Sequence, residues 1–334
     1  MSNFKTRVTI YEVAKSAGVS LATVSRVINK KDNVTEETRI KVMETIERLG
    51  YKPSALAQGL AKSKSTNIGI VLPSKNYVYI SNVLSGLTDI AKIYGYQTSL
   101  FTTRQNREEV KDTIERLITS HVDGAILFDD ALLEEDILEL SKYKIPVVVI
   151  GHDVVADDIA SIIINYADEI KNFIRNYFEN NDNPVYFLHL ENAGILVNDL
   201  EEVVREEVNK LGKGDKFNLL PILDSYDKDC ETLQMFFETH KKGLFISPRD
   251  SISCAIVNAA LDNGLSIPDD VQALSVIGTK YSRIMRPTLS SLSVDMYEVG
   301  SIAMRMLTKM LEGTLKNKTF KFVAKYTKRQ STNN

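Results

Sequence analysis

Between residues 9 and 49 the apolar positions recur every three or four residues, in three short runs. That spacing predicts three amphipathic helices. Ala17-Gly18-Val19 separates the first two; Gly18 supplies a tight, open bend and Val19 plugs the angle between them. The second run, Ser20–Asn29, begins with a good N-cap, Ser20, and turns Val24 and Val27 inward. Leu21, Ala22, Ser25, Arg26 and Asn29 fall on its other face. The third, Glu36–Leu49, is capped by Thr35, offers Ile40, Val42, Met43, Ile46 and Leu49 as its apolar face, and stops at Gly50 ahead of Pro53. Ser54–Ser63 contains Gly59 and cannot hold a helix alone in water, because nucleation is costly below about 12 residues. It reads as a linker that orders only when a partner clamps it.

From Asn67 the rhythm changes to alternating strands and helices. Apolar runs at Ile68–Leu72, Gln97–Phe101, Ala125–Phe128 and Val147–Ile150 alternate with helical patterns at Val83–Tyr94, Val110–Leu117 and Leu132–Leu140. The pattern restarts at Ile162–Ile164 and continues through Val185–Leu190, Leu219–Leu223, Leu244–Ile246 and Leu274–Ile277. Such βα units build parallel sheets. Two similar α/β lobes follow, with a cleft at the strand C-termini. The chain therefore divides into a helical domain at 1–53, a hinge at 54–64 and a two-lobed core at 65–332. The first lobe takes about 65–162 and 292–320, the second about 163–291 and 321–332, with crossovers near 160–165, 289–295 and in a last strand, Thr319–Lys325.

Composition fits this reading. The 334 residues are 43% hydrophobic and 25% charged, as in a globular protein. The net charge of −3 is uneven: residues 1–64 hold 12 Lys/Arg against 6 Asp/Glu, the remainder 29 against 38. A local basic excess suits phosphate contact, and an acidic body is discouraged from lying on DNA. Two cysteines, Cys230 and Cys254, form neither a disulfide framework nor a metal pattern, which points to a reducing cytoplasm. No signal peptide and no membrane span are expected.

The helical pair around Gly18 is a helix-turn-helix signal. Small groups, an arginine and an amide on the exposed face of the second helix suit entry into a DNA major groove. Arg26 is the candidate for direct readout, its guanidinium pairing with O6 and N7 of a guanine for about 1–3 kcal/mol of discrimination. Leu21 and Ala22 would touch base edges. Thr9, Ser20, Thr23, Ser25, Asn29 and Thr38 are candidates for the DNA backbone, fixing register without reading sequence. One such helix covers few base pairs, so a homodimer on a palindromic operator is expected.

TIYEVAKSAGVSLATVSRVIN followed by TRIKVMETIERLGYKPSALAQGLA resembles the lactose/galactose-repressor family of bacterial transcription regulators. The resemblance implies a periplasmic-binding-protein-like core, base contacts at Leu21, Ala22 and Arg26, and a hinge helix. In that hinge Leu60 would wedge into the minor groove while Ala57 lets paired hinges approach. RPTLSSLSVDMYEVGSIAMRMLTKM, residues 286–310, resembles the carbon-catabolite branch of the family. That likeness implies a corepressor partner, the seryl-phosphorylated histidine-containing phosphocarrier protein HPr. Its contacts would fall at Tyr94, Met296, Tyr297, Glu298, Ser301, Met304, Arg305 and Lys309. Arg305 and Lys309 are four apart on one helix face, the spacing to hold a phosphate with charge-assisted bonds. Ser301 and Glu298 stand where that branch has alanine and aspartate.

A small sugar-like effector is the alternative gate, or none at all. The family's Gly-Phe-Asp is here Ser275-Val276-Ile277, so an acid is lost. Asp153, Arg249 and Asp250 remain as candidates for an effector cleft. An enzyme is disfavoured: no phosphate-cradling glycine loop occurs, and His121, His152, His189 and His240 are scattered. No cofactor, metal site or catalytic residue is expected.

Overall fold

The computed structural model describes residues 8–52, 65–74, 77–104, 107–154, 156–190 and 194–333. The expected hinge, with Ala57 and Leu60, lies outside the described residues. The chain separates into two compact units, Met1–Thr66 and Asn67–Asn334.

The N-terminal unit holds α1 (Ile10–Ala17), α2 (Leu21–Ile28) and α3 (Glu36–Leu49). Each begins on a hydroxyl. Thr9 and Glu12 form a reciprocal capping box on α1, Ser20 accepts from the Thr23 amide at 3.1 Å, and Thr35 accepts from the Thr38 amide at 3.4 Å. Gly18 adopts the left-handed conformation at φ 65° and ends α1. Val13, Ala14, Ala17, Val24, Val27 and Val42 form the buried core, with Val19, Ile46 and Leu49 packed against it. Ile40 and Met43 were expected on that inner face, but they are 51% and 45% exposed. The inward stripe of α3 is Val42, Thr45, Ile46 and Leu49, the three-and-four spacing of one helix face, and residues 40 and 43 fall off it.

The second unit contains two six-stranded sheets. The first is built from β1 (Asn67–Pro73), β2 (Gln97–Thr103), β3 (Gly124–Leu127), β4 (Val147–Ile150), β5 (Ile159–Asn165) and β11 (Thr319–Val323). Their order is β11-β5-β4-β3-β1-β2 and every pairing is parallel. The second holds β6 (Val185–Leu190), β7 (Phe217–Ile222), β8 (Gly243–Ser247), β9 (Val271–Ser275), β10 (Ser290–Ser293) and β12 (Lys325–Thr327). Its order is β12-β10-β9-β8-β6-β7, with only the β10–β12 pair antiparallel among these strands. Central strands such as β3 and β4 are buried along their whole length, which is why they read as unbroken apolar runs.

Helices cover both lobes. In the first are α4 (Val78–Ile93), α5 (Arg107–Thr119) and α6 (Glu134–Lys142). In the second are α7 (Ala167–Asn180), α8 (Ile195–Lys210), α9 (Tyr226–Thr239), α10 (Asp250–Asp262) and the short α11 (Tyr281–Ile284). α12 (Met296–Leu311) returns to pack on α4. Strand pairing moves the expected lobe boundaries. Residues 163–165 and 321–323 belong to the first sheet, and 292–293 to the second. The expected last strand is two strands, because the chain changes sheet at buried Ala324.

Candidate functional site

In the N-terminal unit, α2 buries Val24 and Val27 and turns Leu21, Ala22, Arg26 and Asn29 to solvent. Arg26 has no ion pair among the described residues, so its guanidinium is available to a partner. The expected backbone binders are positioned by local bonds. Thr9 and Ser20 cap helices, the Ser20 and Thr23 hydroxyls lie 2.9 Å apart, Thr38 meets Thr35 at 2.9 Å, and Asn29 donates to the Ser25 carbonyl at 2.8 Å. Thr9, Ser20 and Asn29 remain exposed; Thr23, Ser25 and Thr38 are half-buried.

On the first lobe, α4 and α12 approach so closely that side chains are excluded at two reciprocal positions. A Cβ on Gly86 would lie 2.0 Å from the Tyr297 carbonyl oxygen, and one on Gly300 2.1 Å from that of Val83. This contact corrects the expected docking set. Met296, Ser301 and Met304 are buried, facing the cleft, Gly86 and the core respectively. Tyr94, Tyr297, Glu298, Arg305 and Lys309 stay exposed. Tyr297 donates to Asp89 at 3.0 Å, which fixes its ring on the surface. Arg305 and Lys309 line a groove of about 500 Å³ with Lys316, over Ile302, Met306 and Phe320. Neither Arg305 nor Lys309 forms an ion pair among the described residues.

Between the lobes lies a cavity of about 390 Å³. Tyr79 and Phe128 wall it, their rings 6.0 Å apart edge to face. Val276 and Ile277 line it where the acid of the family pattern is missing. Asp153 and Arg249 also line it. Asp250 does not: its carboxylate accepts from the Thr279 amide at 2.5 Å, the Thr279 hydroxyl at 2.7 Å and the Ser282 amide at 3.3 Å, tying down the loop before α11. Burial raises its pKa, and those bonds hold it back.

Sequence reasoning missed Asp130, Glu134, His152 and Asp199, which also line the cavity. It also missed Tyr77 and Asp224 beside Arg249. The Tyr77 hydroxyl donates to Asp224 at 2.7 Å. Arg249 pairs with Asp224 at 3.0 Å and stands 4.2 Å over the Tyr77 ring. Residues so far apart in sequence carry no local signal; the sheets bring them together. Burial, reinforced by neighbouring Asp129, raises the Asp130 pKa, while Arg249 and His152 oppose that shift.

Among the described residues no cluster of His, Cys, Asp and Glu is placed to hold a metal, and no helix is long and apolar enough to cross a membrane.

Residues 9–54 match the model of the lacI family of bacterial regulatory proteins, and 223–332 a periplasmic-binding-protein-like domain. The chain is 33% identical to catabolite control protein A of Priestia megaterium over 91% of its length and 92% of the relative's. It is 34% identical to the protein of that name in Staphylococcus aureus strain COL, with the same coverage. Its fold superposes on a crystal structure of the lac repressor dimer bound to operator and the anti-inducer ONPF, with TM-score 0.81, 21% identity, and 98% and 99% of the two chains covered. The three-helix unit with its exposed α2 face, the pair of parallel-dominated sheets and this kinship together place the chain in the lacI family of DNA-binding transcription regulators.

Proposed function

We propose that the protein is a homodimeric regulator that reads a near-palindromic operator in the bacterial cytoplasm and is gated by seryl-phosphorylated HPr. The observation that carries the DNA reading is the division of α2, with Val24 and Val27 buried and Leu21, Ala22 and Arg26 exposed. Arg26 reads a guanine, Leu21 and Ala22 touch adjacent base edges, and Thr9, Ser20, Thr23, Ser25, Asn29 and Thr38 set register on phosphates. Ala57 and Leu60 act in the minor groove at the operator centre. The hinge at 54–64 links the reading head (1–53) to the core.

Support for the gate comes from Arg305 and Lys309, free of ion pairs among the described residues and one turn apart beside exposed Tyr94, Tyr297 and Glu298. Two cations on one face match a phosphoserine, and the tyrosines offer flat apolar contact next to it. Relatives named catabolite control protein A favour the same branch.

Gel shifts test both parts. Palindromic operator DNA should bind more tightly than scrambled DNA, and addition of phosphorylated carrier should tighten it further. Arg26→Ala should remove the preference for operator; retention of that preference refutes the assignment. The double change Arg305→Ala, Lys309→Ala should abolish stimulation and spare basal binding; a parallel fall in both refutes the phosphate role.

A further inference from the structure

The cavity between the lobes carries an inference that rests on the core being a ligand-sensing one, but not on the phosphoprotein gate. Arg249 is 9% exposed and lines this cavity. Its charge is already matched by Asp224, and one face of its guanidinium covers Tyr77. Its Nε–H is buried and has no hydrogen-bond partner among the described residues. A buried donor in that state costs free energy until an acceptor arrives. Asp130 lines the same cavity and accepts no hydrogen bond from any described residue. Glu134, Asp153 and Asp199 add three carboxylates nearer the mouth. Besides His152 and the Asp224-paired Arg249, the charged groups of the lining are the carboxylates of Asp130, Glu134, Asp153 and Asp199, with the aromatic walls of Tyr79 and Phe128 beside them.

We propose that this cleft takes a small protonated amine that also carries hydroxyl or ether oxygens, as an amino sugar or amino alcohol does, and rejects phosphorylated sugars. An ammonium satisfies Asp130 and gains from the surrounding carboxylates. It is also attracted by aromatic faces. A ligand oxygen accepts from the Arg249 Nε–H, and the apolar face of a ring lies against Tyr79 and Phe128. A phosphate meets four carboxylates, while the charge of the cleft's arginine is already matched by Asp224.

Three probes on one ring isolate the charge: glucosamine, glucose and glucose 6-phosphate, titrated into the full chain by calorimetry slightly below neutral pH. Glucosamine should bind at least tenfold more tightly than glucose, and glucose 6-phosphate should be weakest. Added salt should narrow the first gap. Asp130→Asn should cut glucosamine affinity about tenfold or more and leave glucose little changed. Asp199→Asn, at an exposed position that does not threaten folding, should reduce it in the same direction. Glucose 6-phosphate binding as well as glucosamine, an unchanged order in Asp130→Asn, or no binding by any of the three overturns the proposal. Operator binding without sugar, measured on the same preparations, separates that failure from a failure of the DNA-reading assignment.

Discussion

Tyr77 of the first lobe donates its hydroxyl to Asp224 of the second at 2.7 Å, and Arg249 closes the triangle from the second lobe. The clasp joins the lobes through side chains 11% exposed at both ends of its ion pair. Tyr77→Phe keeps the ring under the guanidinium and loses one hydrogen bond, a net cost of about 1 kcal/mol. Arg249→Ala withdraws a cation from a nearly buried carboxylate, and such breaks cost up to roughly 3–5 kcal/mol. Denaturant unfolding of both variants should rank them in that order. Equal losses would mean that the ion pair adds nothing beyond the tyrosine bond.

The α4–α12 contact makes a second prediction. Gly86→Ala and Gly300→Ala each drive a methyl into opposing backbone, at 2.0 and 2.1 Å before relaxation. Overpacking of this kind costs typically 1–3 kcal/mol. Because Tyr297 and Arg305 ride on α12 and Tyr94 ends α4, either change should also weaken stimulation by the phosphorylated carrier. Basal operator binding, which needs the N-terminal unit, should persist. Unimpaired stimulation in a destabilised variant would show that the docking residues act without a fixed helix pair.

Helix α2 spans eight residues, too few to persist without its cap and its two buried valines. Ser20→Ala removes the acceptor of the Thr23 amide and should cost about 1 kcal/mol of stability in the N-terminal unit. Ser20→Asp should restore most of it. Hydrogen exchange of the Thr23 and Val24 amides reads this directly; protection unchanged in Ser20→Ala would remove the cap from the account.

The helical head was legible because its signals are local: a capping hydroxyl, a glycine in the left-handed region and apolar residues at three-and-four spacing. The error at Ile40 and Met43 has the same origin, since counting apolar residues does not assign each to the inward stripe. Strands such as Val147–Ile150 and Val185–Leu190 were legible because sheets covered on both faces demand continuous apolar runs. The cleft was less so. Asp153 and Arg249 were placed, but Asp250 was read by position without the loop that occupies its carboxylate. Asp130, Asp199, Tyr77 and Asp224 become neighbours of the cavity only through topology. The burial of Ser301 depends on Gly86, more than 200 residues earlier, letting a second helix close over it.

Asp130 sets the last prediction. Its pKa is raised above the ordinary aspartate value of 3.8 in the folded chain, mainly by burial, then by Asp129, with Arg249 and His152 opposing. Below 3.8 the carboxyl is protonated in both folded and unfolded chains and does not affect the balance. As pH rises past that value the unfolded chain releases its proton first, so the native state loses stability until pH exceeds the folded pKa. Asp130→Asn has no proton to release and escapes this loss. The variant should therefore melt near the parent's temperature at the acid end of the range and above it at neutral pH. A residue that weakens its own fold at neutral pH fits a site kept for binding. Glucosamine should raise the melting temperature of the parent at neutral pH more than that of the variant. If Asp130→Asn is instead less stable than the parent at neutral pH, the carboxylate is held by favourable contacts within the fold, and its availability to a ligand is wrong.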